Sequence, residues 1–363
     1  MRSRRFDHIA IGALFALALP CLVACPPSTP PNDAVDDGGD SIDANDPLRA
    51  ANGKMEQGQP QEALKIIEGE LDKKPDDPEL WFAKGVAQQA MGDLDAAVES
   101  WNEALKKKPD YYAALGGIGA VLLEKGEVDA AVEKLEAAVQ AKPEFADAHY
   151  NLGLALLEAG KTDKAKEELE AAHRLAPKDP EMMLVLADLY AAQGDLDTAE
   201  KLTARASEVA PGDARVHAAH GRVLMRQRKN EAAMAAYDKA LQLAPDDAGV
   251  QLGHAQALLK VDRDTEAEAA LAKLSEVAPQ SAIVWLEWGT ALAKLGKTAQ
   301  GVKKMDKALQ LDGKLVSAHV RRIGALTQLE KCKEVKKAVK ALRQLDPGEA
   351  ALKAATAASA GCK

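Results

Sequence analysis

Histidine and cysteine carry most of the chemical potential of this chain of 363 residues, which holds seven of the first and four of the second. His217 and His220 stand three residues apart, and His254 follows 34 residues after His220. On a helix the first pair shares one face, the geometry of two metal ligands. No cysteine or carboxylate at a matching spacing completes a ligand set, so a metal-dependent enzyme is a remote third reading and no metal is expected. Leu115-Gly116-Gly117-Ile118-Gly119 superficially matches a dinucleotide loop, but no strand pattern leads into it. Nucleophile-elbow, zinc-protease and phosphate-loop motifs are missing from the sequence. No catalytic residue, cofactor or small-molecule substrate is therefore expected.

The elements that must position any site are set by a proline that returns every 34 residues. Pro75, Pro109, Pro143, Pro177, Pro211, Pro245 and Pro279 keep the interval, Gly313 stands where the next would fall, and Pro347 follows. Such a period marks one supersecondary unit copied along the chain. Stacked copies share one continuous core, which overrides the two or three domains that the length alone would suggest. Aromatic residues make up only 4%, and the abundant alanine suits close helix–helix packing. A net charge of −9 argues against wholesale nucleic-acid binding.

With each closing proline numbered as position 32, the second unit starts at Pro78. It places Trp81 at position 4, Gly85 at 8, Gly92 at 15, Ala97 at 20, Trp101 at 24 and Ala104 at 27. The fourth unit gives Leu152, Gly153, Gly160, Ala165, Leu169 and Ala172, and the fifth Leu186, Ala187, Tyr190, Gly194, Ala199 and Ala206. This pattern resembles the tetratricopeptide repeat, a helix–turn–helix of 34 residues. Seven consecutive units keep the register over residues 78–313. The resemblance implies an all-α, right-handed superhelical solenoid of antiparallel helix pairs, A and B. Small residues at 8, 20 and 27 let the two helices close, as Gly119/Ala131/Ala138 and Gly221/Ala233/Ala240 illustrate. Glycine at 15 serves the turn, and Asp77-Pro78 and Asp179-Pro180 have the form of an N-cap followed by proline at the first helical position.

About nine units are expected over residues 47–347, the first and last atypical, with a capping helix in 348–363. The ninth has Ile323, Val335 and Leu342 at the tight positions, which should hold its helices further apart. Residues 1–24 read as an export signal: Arg2, Arg4 and Arg5 precede a short apolar run over 9–19. It ends in Leu22-Val23-Ala24-Cys25, which resembles the lipobox of bacterial lipoproteins. That resemblance makes Cys25 the lipidated N-terminus of the mature chain, and several acyl chains hold a protein firmly where one does not. Residues 25–46 carry proline, glycine and six aspartates without lysine or arginine, so they read as a disordered acidic linker.

Within the repeat register, His149, His217 and His319 fall at position 4, and His220 and His254 at position 7. They replace packing residues, which weakens the metal reading. The family lines its concave groove with positions 2, 5, 9, 12 and 13 of helix A. Those positions supply Phe82 and Tyr150 as expected apolar anchors, with Leu154, Glu79, Asp147 and Glu158 beside them in the groove. Further on they supply Arg215, Arg222, Met225, Arg226, Lys260 and Lys294, of which the Arg215/Arg222/Arg226 cluster is expected to receive an acidic segment or carboxylate of a protein or peptide partner. The lysine and asparagine of chaperone-binding members are absent. Cys332, in the turn after helix A of the ninth unit, and Cys362, after the capping helix, emerge at one end of the stack and can form a disulfide. The expected function is a lipid-anchored, non-catalytic scaffold in assembly of an envelope complex, at the outer membrane facing the periplasm. The alternative is a self-associating spacer or cell-wall tether.

Overall fold

The computed structural model describes residues 46–362, which form nineteen α-helices and no strand. The expected signal, Cys25 and all of the linker but Asp46 lie outside the described residues. Asp46 itself caps the first helix, its carboxylate accepting from the Leu48 N–H.

The chain divides into two compact units after Gln193. The first holds α1 (Pro47–Glu56), α2 (Pro60–Leu71), α3 (Pro78–Ala90), α4 (Leu94–Lys107), α5 (Tyr112–Glu124), α6 (Val128–Ala141), α7 (Ala146–Glu158), α8 (Thr162–Leu175) and α9 (Pro180–Gln193). The second holds α10 (Leu196–Val209), α11 (Ala214–Arg226), α12 (Asn230–Leu243), α13 (Ala248–Lys260), α14 (Asp264–Val277), α15 (Ala282–Lys294), α16 (Thr298–Leu311), α17 (Val316–Gln328), α18 (Cys332–Arg343) and α19 (Glu349–Ala358). Hairpins such as α3/α4, α7/α8, α11/α12 and α15/α16 pack along their length, and each hairpin leans on the next within its unit.

Local chemistry fixes the boundaries. Asp77 accepts from the Glu79 and Leu80 N–H groups, and Asp179 from Glu181 and Met182, each just before a proline that opens its helix. Asp213 and Asp247 cap α11 and α13 in the same way. Five turns between paired helices, from the second unit onward, place glycine at position 15 (Gly92, Gly126, Gly160, Gly194 and Gly296), each with positive φ. Arg228, Asp262 and Glu330 occupy that position in the other three units and are forced into the same left-handed region at φ 63°, 58° and 57°. Side chains beyond glycine are strained there.

The small residue at position 8 has a more specific task than letting backbones close. A Cβ on Gly85 would lie 2.3 Å from Trp101 Nε1, one on Gly119 2.5 Å from Leu135 Cγ, and one on Gly153 2.6 Å from Leu169 Cγ. Position 8 is therefore a socket for the large side chain at position 24. In α15/α16 the backbones do meet: a Cβ on Gly289 would lie 2.7 Å from the Gly301 carbonyl oxygen.

At the C-terminus, Ile323, Val335 and Leu342 are buried together with Ala355 of α19 and Cys362. Cys332 and Cys362 are joined by a disulfide. Cys332 is the first residue of α18 rather than part of the preceding turn.

Candidate functional site

Position 4 shows what the histidines do. Trp81 Nε1 donates to the Pro75 carbonyl at 2.8 Å, and Trp285 Nε1 to Pro279 at 2.9 Å. Imidazole Nε2 does the same work in His149 to Pro143 at 2.9 Å, His217 to Pro211 at 3.0 Å and His319 to Gly313 at 3.0 Å. Gln251 Nε2 reaches Pro245 at 2.6 Å. Each ties helix A to the carbonyl of the residue closing the preceding unit. Tryptophan, histidine and glutamine interchange because each carries an N–H at a suitable reach. The sequence reading treated these residues as packing substitutes and missed the shared donor.

The proposed metal group separates into private contacts. His217 is held by Pro211, while His220 Nδ1 lies 3.0 Å from Thr203 Oγ1. His254 Nε2 lies 3.1 Å from Asp238 Oδ1. Thr203 already donates to a backbone carbonyl, so the Nδ1–H of His220 is the donor in their bond. Burial pushes the His220 imidazole below its ordinary range, only partly opposed by Glu200. No group of three potential metal ligands occurs among the described residues. The glycines 116, 117 and 119 sit inside α5, where Phe145, Trp101 and Leu135 fill the space a Cβ would take.

The helix A positions expected to face a partner differ between the units. In α3, α5, α7 and α9 they carry Glu79, Glu124, Asp147, Glu158, Glu181 and Asp188, and no lysine or arginine. In α11, α13, α15 and α17 they carry Arg215, Arg222, Arg226, Lys260 and Lys294, and no carboxylate.

The expected apolar residues of the groove lie deeper than the sequence reading placed them. Phe82 is 2% exposed, and Tyr150 and Leu154 are each 6% exposed. Phe82 packs its ring against Trp101 at 6.4 Å and Tyr111 at 5.2 Å between centroids. Neighbouring hairpins bring large aromatics to the same point, and position 5 is drawn into the core with them. Burial raises the Tyr111 phenol well above its ordinary range.

The expected basic groups also divide. Arg222, Arg226 and Lys260 are exposed. Arg215 grips its own cap, Nε reaching Asp213 Oδ1 at 3.2 Å and Nη2 reaching Oδ2 at 2.8 Å. Burial alone would raise the Asp213 carboxyl, but these bonds hold it below its usual range. Lys294 corrects the sequence reading outright. Its ammonium lies 2.8 Å from both Asp262 and Asp264 and donates to the Leu259 carbonyl at 2.7 Å. These contacts staple α15 to the α13–α14 turn, so Lys294 is part of the scaffold. Burial would lower this ammonium, yet the two carboxylates hold it above the usual lysine range.

Residues without a sequence signal join the same inner surface. Glu287 is buried on α15 and accepts from Gln256 Nε2 at 3.2 Å and Arg321 Nη1 at 2.5 Å, which links α13, α15 and α17. Arg321 also donates to Thr290 at 3.0 Å. Among the described residues no helix is long and apolar enough to cross a membrane.

Two tetratricopeptide repeat profiles match the sequence, one over residues 156–223 and 224–295 and the other over 85–144 and 121–180. Together they run without a gap from 85 to 295, more than half of the chain. No curated protein sequence matches at a significant level. Among solved structures, pilF of Pseudomonas aeruginosa has a TM-score of 0.53 at 23% identity, covering 58% of this chain and 96% of its own. A tetratricopeptide repeat protein of Parabacteroides merdae has a TM-score of 0.52 at 17% identity, covering 73% and 98%. The APC/C hetero-tetramer Cut9–Hcn1 contributes a chain with a TM-score of 0.58 at 15% identity, covering 77% of this chain and 55% of its own. At these identities the likeness is one of fold.

Proposed function

The chain belongs to the tetratricopeptide repeat family, and from that premise we propose that it is a scaffold of the bacterial envelope whose second unit receives an acidic segment of a partner protein. The family is generally non-catalytic and its fold serves protein–protein interaction. One observation carries the finer reading: the inner helix A positions of 214–328 hold five basic residues and no carboxylate. Arg222 and Arg226 lie one turn apart on α11, and both are exposed. A lipid on Cys25 tethers the chain, at the outer membrane on the periplasmic side, and the partner is a component of an envelope assembly such as a pilus, secretion, outer-membrane or polysaccharide-export machine.

Cross-linking in native membranes, followed by identification of the captured protein, tests the scaffold. A captured partner with a run of aspartate or glutamate, lost with Arg222→Glu/Arg226→Glu, supports the reading, and undiminished capture refutes it. Metabolic labelling with palmitate tests the anchor, and a label that survives Cys25→Ala excludes it.

A second reading, self-association as a spacer or tether, is favoured by the opposite signs of the inner positions in the two units. Sedimentation that does not change with protein concentration removes it.

A further inference from the structure

The hairpin α17/α18 has a charge unlike the rest of the chain. Residues 316–343 contain Arg321, Arg322, Lys331, Lys333, Lys336, Lys337, Lys340 and Arg343 against only Glu330 and Glu334, while the chain as a whole carries −9. Arg321 and Arg322 are consumed by Glu287 and Asp306, and Lys331 pairs with Glu334. Lys333, Lys336, Lys337, Lys340 and Arg343 are exposed and make no ion pair among the described residues.

Their spacing puts all five on one side of α18. At 3.6 residues per turn they fall within an arc of about 120°, opposite Val335, Ala338 and Leu342. Those three apolar residues are buried in the C-terminal core, so α18 has no apolar side left for a partner. The disulfide from Cys332 fixes the start of the helix to the C-terminal cap. Several other second helices pair outer charges locally: Lys106 with Glu103 on α4, Lys166 with Glu170 on α8, Arg205 with Glu208 on α10. On α18 the Lys331–Glu334 pair leaves the five exposed cations without an ion pair among the described residues.

We propose that the lysine stripe of α18 is a docking surface for an anionic lipid bilayer. The stripe is a convex row on a rigid helix, without the cavity or hydrogen-bonding fork that shaped recognition of a peptide carboxylate requires. Lysine dominates it, and lysine is a compact point charge suited to a diffuse field, whereas arginine suits bidentate contact. The hairpin has no tryptophan, tyrosine or phenylalanine on which nucleobases could stack. A negatively charged leaflet attracts such a row without insertion, each lysine near the surface multiplying partition about fivefold, and salt suppresses the effect.

The test compares the full chain with the Lys333→Glu/Lys336→Glu/Lys337→Glu/Lys340→Glu variant in vesicle co-sedimentation. One set of vesicles is phosphatidylcholine with about a third phosphatidylglycerol, and the other is phosphatidylcholine alone. Residues 1–25 are common to both proteins, so any insertion they cause cancels. The expected result is at least a tenfold loss of binding to the anionic vesicles, no difference on neutral ones, and recovery in the corresponding lysine-to-arginine variant. Circular dichroism melts that coincide show that the exposed changes leave the fold intact. Equal binding of the two proteins to anionic vesicles overturns the proposal. So does a difference between the two proteins that persists in high salt, or a loss seen only with poly-glutamate or duplex DNA as the probe.

Discussion

The helices A of residues 78–193 and those of residues 214–328 share one backbone plan and present opposite chemistry. In the first set, α5 is buried from Ala113 to Val121 and α7 from Ala148 to Leu157, and the inner charges are all carboxylates. In the second set the inner charges are all basic, and three of them, Arg222, Arg226 and Lys260, stand exposed. Hairpin packing depends on positions 8, 20, 24 and 27, which in most repeats carry small residues at 8, 20 and 27 and a large one at 24. Recognition positions lie on another face of the same helix, so they vary without disturbing the stack.

The largest effect expected concerns the C-terminal end, which the first unit has no counterpart for. Replacing Cys362 with serine should cost the last hairpin and cap roughly 2–4 kcal/mol. Hydrogen exchange should then quicken over α17–α19 and stay unchanged over α3–α8, and a uniform change would contradict the local role given to the disulfide. The socket at position 8 separates the units next. In Gly289→Ala the new methyl meets the Gly301 carbonyl, which is backbone, and this should cost about 2–3 kcal/mol. Gly119→Ala meets the buried Leu135 side chain rather than backbone, so a smaller cost of about 1–2 kcal/mol is expected. Urea denaturation ranks the two, and an equal or reversed order would show that the backbone contact is not limiting.

The charge contrast itself is sharpened by reversing the acidic side. Glu124→Lys/Glu158→Lys should raise affinity for a glutamate-rich peptide a few-fold at low salt and lose that gain at high salt, because exposed charges are screened over about 10 Å. Titration calorimetry reads this, and no change would confine recognition to the second unit. Relief of turn strain is smaller: Arg228→Gly and Glu330→Gly should each stabilise by up to about 1 kcal/mol. The glycine already at Gly126 predicts no such gain in the first unit. Thermal melts that fall in either variant would remove the strain argument.

The smallest effect is a pH dependence confined to His220. Burial depresses its folded-state pKa, so the neutral ring is favoured in the native chain. The associated stability is present above the ordinary histidine pKa of about 6.5 and is lost as pH falls from there towards the folded value. Urea midpoints at about pH 7.5 and 5.5 should differ more for the native chain than for His220→Gln. Equal differences would place the ring in solvent.

Much of the scaffold was legible because its rules are local. Proline stops a helix through a missing N–H, aspartate caps through a short side chain, and glycine takes a left-handed turn, whatever the surroundings. The candidate site was legible only in outline. Phe82 looked like an anchor, but Trp101 of its own hairpin and Tyr111 at the start of the next pack against it. Lys294 looked available, but Asp262 and Asp264 arrive from a turn about thirty residues earlier. The histidines at position 4 looked like packing substitutes until the carbonyl six residues back showed the N–H donor they share with tryptophan and glutamine.

The sequence by itself determined the period, the all-α hairpins, the turn positions and the separation of acidic from basic inner residues, since each follows from residue types at fixed spacing along one chain. Tertiary structure alone decided which of those residues remain for a partner. An ion pair, a buried ring or a shared carbonyl depends on groups brought together from separate repeats, and no spacing within one repeat encodes where a neighbour's side chain will end.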